Sequence, residues 1–106
     1  MLIEKLQEIE GVKKVHIGKN NVINDFYISD IFGHALGKIN KDDCLISVLE
    51  SFNALHICHL KKASTFVLCE TQTYSEEMKE MAIKYDINFF TYDKTSVQLI
   101  NNINKN

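Results

Sequence analysis

Proline is absent from the 106 residues, and glycine occurs only at Gly11, Gly18, Gly33 and Gly37. The turns after residue 37 therefore fall to Asn, Asp, Ser and Thr, which also cap helices. Cysteine is scarce and odd in number, so Cys44, Cys58 and Cys69 cannot all pair within one chain. Two of them sit in apolar stretches, where a free thiol packs as a small hydrophobe, and a reducing, cytoplasmic setting is expected. No run approaches the roughly 20 apolar residues of a spanning helix, so no membrane partner is expected. The start, Met1-Leu2-Ile3-Glu4-Lys5-Leu6, has neither a basic leader nor a long apolar core and does not read as a secretory signal. A basic excess is missing as well. The net charge of -2 and pI near 6.0 argue against nucleic acid as a partner. The pairs Lys13-Lys14 and Lys61-Lys62 read as solvated surface.

What is present is a hydrophobic fraction of 45%, typical of a packed domain, over a length suited to one. The expected organisation is a single domain over 1–106, with an N-terminal helix and strand in 1–21 and a βα core in 22–104. Leu2, Ile3, Leu6 and Ile9 fall at helical spacing ahead of Gly11. Residues 12–17 alternate imperfectly as a strand, and Gly18-Lys19-Asn20-Asn21 reads as a turn. Residues 22–29 read as a strand interrupted by Asn24-Asp25. Ser29 or Asp30 then caps a helix over 31–39 with Ile31, Ala35 and Leu36 on one face.

Three similar units follow the polar turn at 40–43. The strands read Cys44-Leu45-Ile46-Ser47-Val48-Leu49, Thr65-Phe66-Val67-Leu68-Cys69 and Ile87-Asn88-Phe89-Phe90-Thr91-Tyr92. Each runs into an acidic residue, Glu50, Glu70 or Asp93, and then into a helix near 51–62, 75–85 or 94–103. The first helix is apolar on several sides and is expected to be buried on more than one. The second has a Ser75 cap with Glu76-Glu77 and an inward stripe of Met78, Met81, Ala82 and Tyr85. The third carries Val97, Ile100 and Ile103 inward, and its tail Asn104-Lys105-Asn106 is expected to fray. Strands alternating with helices of this length require crossovers, so the expected fold class is α/β, a layered sandwich with a mainly parallel central sheet built from successive βα units. The carboxyl ends of such strands line one edge, where ligands bind, and here that edge is acidic. Consecutive Phe89-Phe90 must point to opposite faces, so both faces of their strand are expected to be covered.

The segments Tyr27-Ile28-Ser29-Asp30-Ile31-Phe32, Lys41-Asp42-Asp43-Cys44-Leu45-Ile46-Ser47, 66–78 and 87–95 together resemble a DRTGG domain over 26–100. That family is a regulatory module found beside cystathionine-β-synthase-type domains and in some phosphotransacetylases. Its fold is similar to the amino-terminal domain of HPr kinase/phosphorylase. Where the family has its Asp-Arg pair this chain has Glu50-Ser51, and where the family has Thr-Gly-Gly it has Cys69-Glu70-Thr71. Glycine at a strand-to-helix turn lets backbone amides approach an anion, and a glutamate there adds bulk and negative charge. No ligand site of the family carries over to these positions.

Four constellations could carry chemistry. His56-Ile57-Cys58-His59 puts two histidines on one helical face, and with Cys44 and Cys69 they could meet a metal ion. The spacing matches no zinc signature, and a helix packed on a sheet explains it as well. Cys69 could act as a nucleophile, but Glu70 beside it raises the thiol pKa, the wrong direction for a thiolate. Glu50, Glu70 and Asp93 could converge as an acid–base pair or a hard-cation site. Acids just before a helix are also ordinary caps and dipole partners, worth about 0.3–1 kcal/mol each. Gly33-His34-Ala35-Leu36-Gly37 lacks the lysine and hydroxyl residue of an ATP-binding loop, which excludes HPr kinase activity.

These readings lead to a non-catalytic regulatory or protein-interaction module, acting as a homodimer, with no cofactor and no metal. The residues expected to meet a ligand or partner are Glu50, Ser51, Glu70, Thr71 and Asp93. Possible partners are a second copy, another protein or a small nucleotide-like ligand. The first alternative is a sensor binding an adenine nucleotide, with a divalent cation bridging it to Glu50 and Glu70. The second is a small hydrolase using Asp93, Glu70 or Cys69.

Overall fold

Thr65–Cys69 and Asn88–Tyr92 are buried at every position, and these two strands hold the centre of a five-stranded sheet. A computed structural model describes residues 1–105, and Asn106 lies outside the described residues. The elements in chain order are α1 (Ile3–Gln7), β1 (Val12–His16), β2 (Phe26–Ile28), α2 (Phe32–Lys38), β3 (Cys44–Ser47), α3 (Phe52–Lys61), β4 (Thr65–Cys69), α4 (Glu76–Tyr85), β5 (Asn88–Tyr92) and α5 (Ser96–Lys105). The strand order is β1-β5-β4-β3-β2. β2 to β5 are mutually parallel, and β1 is antiparallel to β5 with a bulge between Lys14 and His16. The α/β class with a mainly parallel sheet is therefore the observed one.

The side-chain alternation of each strand sorts the core into two layers. Leu45, Phe66, Leu68 and Phe89 pack with Ala35, Leu55, Met78 and Ala82, placing α2, α3 and α4 on one face. Cys44, Ile46, Val67, Cys69, Phe90 and Tyr92 pack with Ile3, Leu6 and Leu99, placing α1 and α5 on the other. Phe89 and Phe90 do enter opposite layers. Because β2 to β5 lie in sequence order, the three crossovers step the same way across the sheet, and their helices share one face. The strand order never reverses within the parallel part, so the crevice that a reversal opens between helices of opposite faces is missing.

Several boundaries differ from the sequence reading. α1 spans 5 residues, and β2 keeps only 3 of the expected eight. Val22 makes only an isolated bridge to Leu2, while Asn24 N–H and its amide bond Asp42 O and Lys41 O. β3 stops at Ser47 because side chains take the next amides: Asp30 Oδ1 accepts from Val48 N–H and Ser47 Oγ from Leu49 N–H. Neither Ser29 nor Asp30 caps α2, whose Ncap is Ile31. Ile31 and Leu36 are exposed, and Ala35 with Ile39 faces the sheet instead. α3 buries one side only, through Ala54, Leu55, Ile57 and Cys58, and leaves Phe52, His56, His59 and Leu60 outside. In α5 Val97 is exposed and Leu99 is the buried residue, with Ile100 and Ile103 packed beside it. Asn104 and Lys105 continue that helix.

Candidate functional site

β3, β4 and β5 run the same way, so the residues that follow them gather at one edge of the sheet. The last paired residues of β4 and β5 are Cys69 and Tyr92. Glu70 and Asp93 are the next residue on each strand, so their backbones are neighbours at about 4.8 Å strand spacing. Glu70 N–H donates to Lys94 O at 3.0 Å and Thr71 N–H to Tyr92 O at 3.2 Å, which stitches the two strand ends together. Glu50 comes three residues after Ser47 on the β3 side of the same edge, beyond the end of the ladder. All three carboxylates are exposed, and none forms an ion pair among the described residues. At the β1 end Gly11 has φ +95°, and a Cβ there would collide with an Asp93 carboxylate oxygen, so the carboxylate rests directly against the glycine backbone.

Capping falls to hydroxyl residues, not to these acids. Ser51 Oγ accepts from Asn53 N–H at 3.2 Å and Ser75 Oγ from Met78 N–H at 3.2 Å. Thr95 Oγ1 accepts from Gln98 N–H at 3.2 Å while Gln98 Oε1 accepts from Thr95 N–H at 3.0 Å, a reciprocal capping box. Ser51 is thus a cap of α3. Thr71 is a turn residue, its Oγ1 accepting from Thr73 N–H at 3.0 Å.

The residue that sequence reasoning missed is Asp30. β2 ends at this same edge, so Phe26-Tyr27-Ile28-Ser29-Asp30 is a fourth strand followed by an acid. The repeat itself was the signal that could have found it. Asp30 Oδ1 accepts from Ser47 Oγ at 2.7 Å and Val48 N–H at 3.0 Å. The amide that opens the β3-to-α3 turn therefore already holds an anion belonging to the chain. Cys69 lies close by. Burial pushes its thiol up to about 12, and the like charges of Glu70 and Asp30 add to the rise. Burial is thus a larger cause than the neighbouring glutamate, in the direction opposed to a thiolate nucleophile.

The histidine and cysteine constellation does not assemble. His59 stacks on Tyr85 with ring centroids 4.0 Å apart and planes 9° apart, and His56 Nδ1 lies 3.3 Å from Tyr85 Oη. Cys58 turns inward under α3, while Cys44 and Cys69 belong to the layer on the other face of the sheet. Among the described residues no group of three or more His, Cys, Asp or Glu could hold a metal ion. Three depressions of about 140, 250 and 260 Å³ run along α1 and α5, lined by residues such as Met1, Ile103, Glu10, Lys94 and Gln98. They fall below the roughly 300–1,000 Å³ of small-molecule pockets, and none is lined by Asp30, Glu50, Glu70 or Asp93. No described helix is long and apolar enough to cross a membrane.

No family model matches the chain, and neither does any curated protein. Among solved structures it is similar to the CBS and DRTGG domains of the regulatory region of Clostridium perfringens pyrophosphatase, crystallised with the activator diadenosine tetraphosphate. The TM-score is 0.71 at 16% identity, over 96% of this chain and 48% of that one. The fold is DRTGG-like. This chain spans about half the length of that structure, and the likeness is one of fold. At the position read as the first glycine of Thr-Gly-Gly, Glu70 adopts φ +62°, the left-handed conformation that glycine takes freely. The turn has a glycine-type shape with a charged side chain on it. Asp86, Lys62 and Asp42 are the other non-glycine residues of this kind, so the chain tolerates such strain at several turns.

Proposed function

We propose that this chain is a DRTGG-family module without catalytic activity, which regulates or recruits by contact with another protein surface and pairs with itself. The whole of 1–106 acts as one unit, in the cytoplasm. The observation that carries the reading is the state of the strand-end edge. Four parallel strands deliver Asp30, Glu50, Glu70 and Asp93 to it, and the Val48 amide at the start of the β3-to-α3 turn donates to Asp30. Phosphate sites favour free amides and positive charge, and at this edge four carboxylates stand beside Lys94. None of the three depressions along α1 and α5 is lined by these carboxylates, so contact with a broad surface suits the edge better than capture of a small molecule.

A second reading has one observation in its favour: the similar pyrophosphatase region was crystallised with a nucleotide activator. A nucleotide at this acidic edge would need a divalent cation between its phosphates and Glu50 or Glu70. Thermal unfolding separates the two readings. Ligand at 100 times its Kd adds about 2.7 kcal/mol to stability, a rise in Tm on the order of 10 °C for a domain of this size. The expected result with diadenosine tetraphosphate, AMP or ATP, with or without magnesium, is no rise. A rise that requires magnesium replaces the interaction module with a metal-bridged sensor.

A further inference from the structure

Five large apolar side chains stand open at the corner of the sheet where β2 and β3 end. Ile28 is 47% exposed, Ile31 62%, Val48 40%, Leu49 44% and Phe52 46%. The backbone holds them together: Ile28 pairs with Ile46, Ser29 N–H donates to Ile46 O at 3.0 Å, and Val48 N–H donates to Asp30. The other edge of the sheet is guarded, since β1 carries exposed Lys13 and Lys14 and a bulge. β2, Phe26-Tyr27-Ile28, has no charged residue and keeps one side unpaired.

We propose that this corner is the surface on which a second copy of the chain docks. The inference rests on the self-pairing reading above and adds the face that performs it. Its warrant is area. If a large apolar residue shows roughly 200 Å² when fully open, the five residues expose roughly 480 Å² between them. A stable interface needs about 800 Å² per partner, a little over half of it non-polar. The corner therefore supplies the apolar share of one two-fold contact, in which the same patch meets itself.

The charges set a signature for such a contact. Asp30 and Glu50 border the patch, and between residues 25 and 60 lysine occurs only at Lys38 and Lys41, both at the opposite end of the strands. A symmetric contact gathers the acids of both copies with no lysine of residues 25–60 among them. Salt screens that repulsion, so the dimer tightens as salt rises from about 0.1 to about 1 M. A basic partner protein would show the reverse dependence.

Analytical ultracentrifugation of the full chain tests the proposal. The wild type is expected to be a dimer that tightens with salt. Ile31→Glu and Leu49→Glu each weaken it at least about tenfold. Val97→Glu, on an exposed position of α5 in the other layer, leaves it unchanged. Far-UV circular dichroism checks that the variants fold. Independently of any variant, hydrogen exchange at the Ile28 and Leu49 amides of the wild type slows as concentration rises. A dimer that both corner variants leave intact overturns this surface and leaves self-pairing standing. A wild type that stays monomeric overturns both, and a dimer that loosens with salt overturns the acid-bordered contact.

Discussion

Asn88 is fully buried at the start of β5, and its side chain ties three segments together. Its Oδ1 accepts from Gly18 N–H at 2.7 Å, and its Nδ2 donates to Asn20 O at 2.5 Å and Ser64 O at 3.0 Å. Gly18 is suited to this position because a Cβ there would lie 2.5 Å from Asp86 O. Replacing Asn88 with alanine strips partners from buried groups that each cost about 1–3 kcal/mol when left unmade. Asn88→Ala is expected to lower unfolding free energy by about 2–4 kcal/mol in urea titration. A loss well below 1 kcal/mol would show that water replaces the side chain. At the same scale, Glu50, Glu70 and Asp93 were legible because each follows an apolar strand. Asp30 was not, because Ser29-Asp30 ahead of a helical pattern is the ordinary sign of a cap. Only partners far along the chain, the Ser47 hydroxyl and Val48 N–H, reveal where its carboxylate goes.

Among the elements, α4 was readable in full: Ser75 caps it, and Met78 and Ala82 face the sheet. α5 shows what helical spacing leaves open. Val97, Ile100 and Ile103 make one plausible stripe, but the helix turns to bury Leu99 and lets Asn102 Nδ2 donate to Tyr92 Oη at 3.1 Å. Its start at Ser96 is set by the Thr95–Gln98 box, whose loss costs about 0.5–2 kcal/mol for a side-chain cap. Thr95→Ala is expected to destabilise by about 1 kcal/mol, lowering Tm by roughly 4–8 °C. An unchanged Tm would mean that packing of Leu99 alone holds the helix. α2 was misread for a related reason. Its register depends on which apolar residue the sheet admits, and Ala35 fits against α3 where Ile31 and Leu36 do not.

Across the whole molecule the three thiols divide between the two layers, Cys58 under α3 and Cys44 and Cys69 beneath α1 and α5. All are free and buried. Burial pushes Cys58 up to about 12 and Cys44 well above its ordinary value of 9.0. A thiol whose folded pKa is raised favours the folded state fully below pH 9 and loses that contribution as pH rises towards 12. Unfolding free energy should therefore fall through that window, with Cys58 contributing about 1.4 kcal/mol per pH unit. Cys58→Ala flattens the slope by that amount in urea titrations between about pH 9 and pH 10.5. Equal slopes for the variant and the wild type would mean that the thiol is ionised or hydrated in the fold.

The order of apolar strands and helices by itself determined an α/β layered sheet with acids after its strands, because periodicity and burial are local properties of the chain. Tertiary structure alone decided that β2 to β5 lie in sequence order, with no reversal of strand order within the parallel part. It also decided that Asp30 occupies the amide of Val48, and that an apolar corner stays open beside it. Those outcomes depend on contacts between residues far apart in sequence, and no local pattern encodes which partner a freed amide or an exposed face will find.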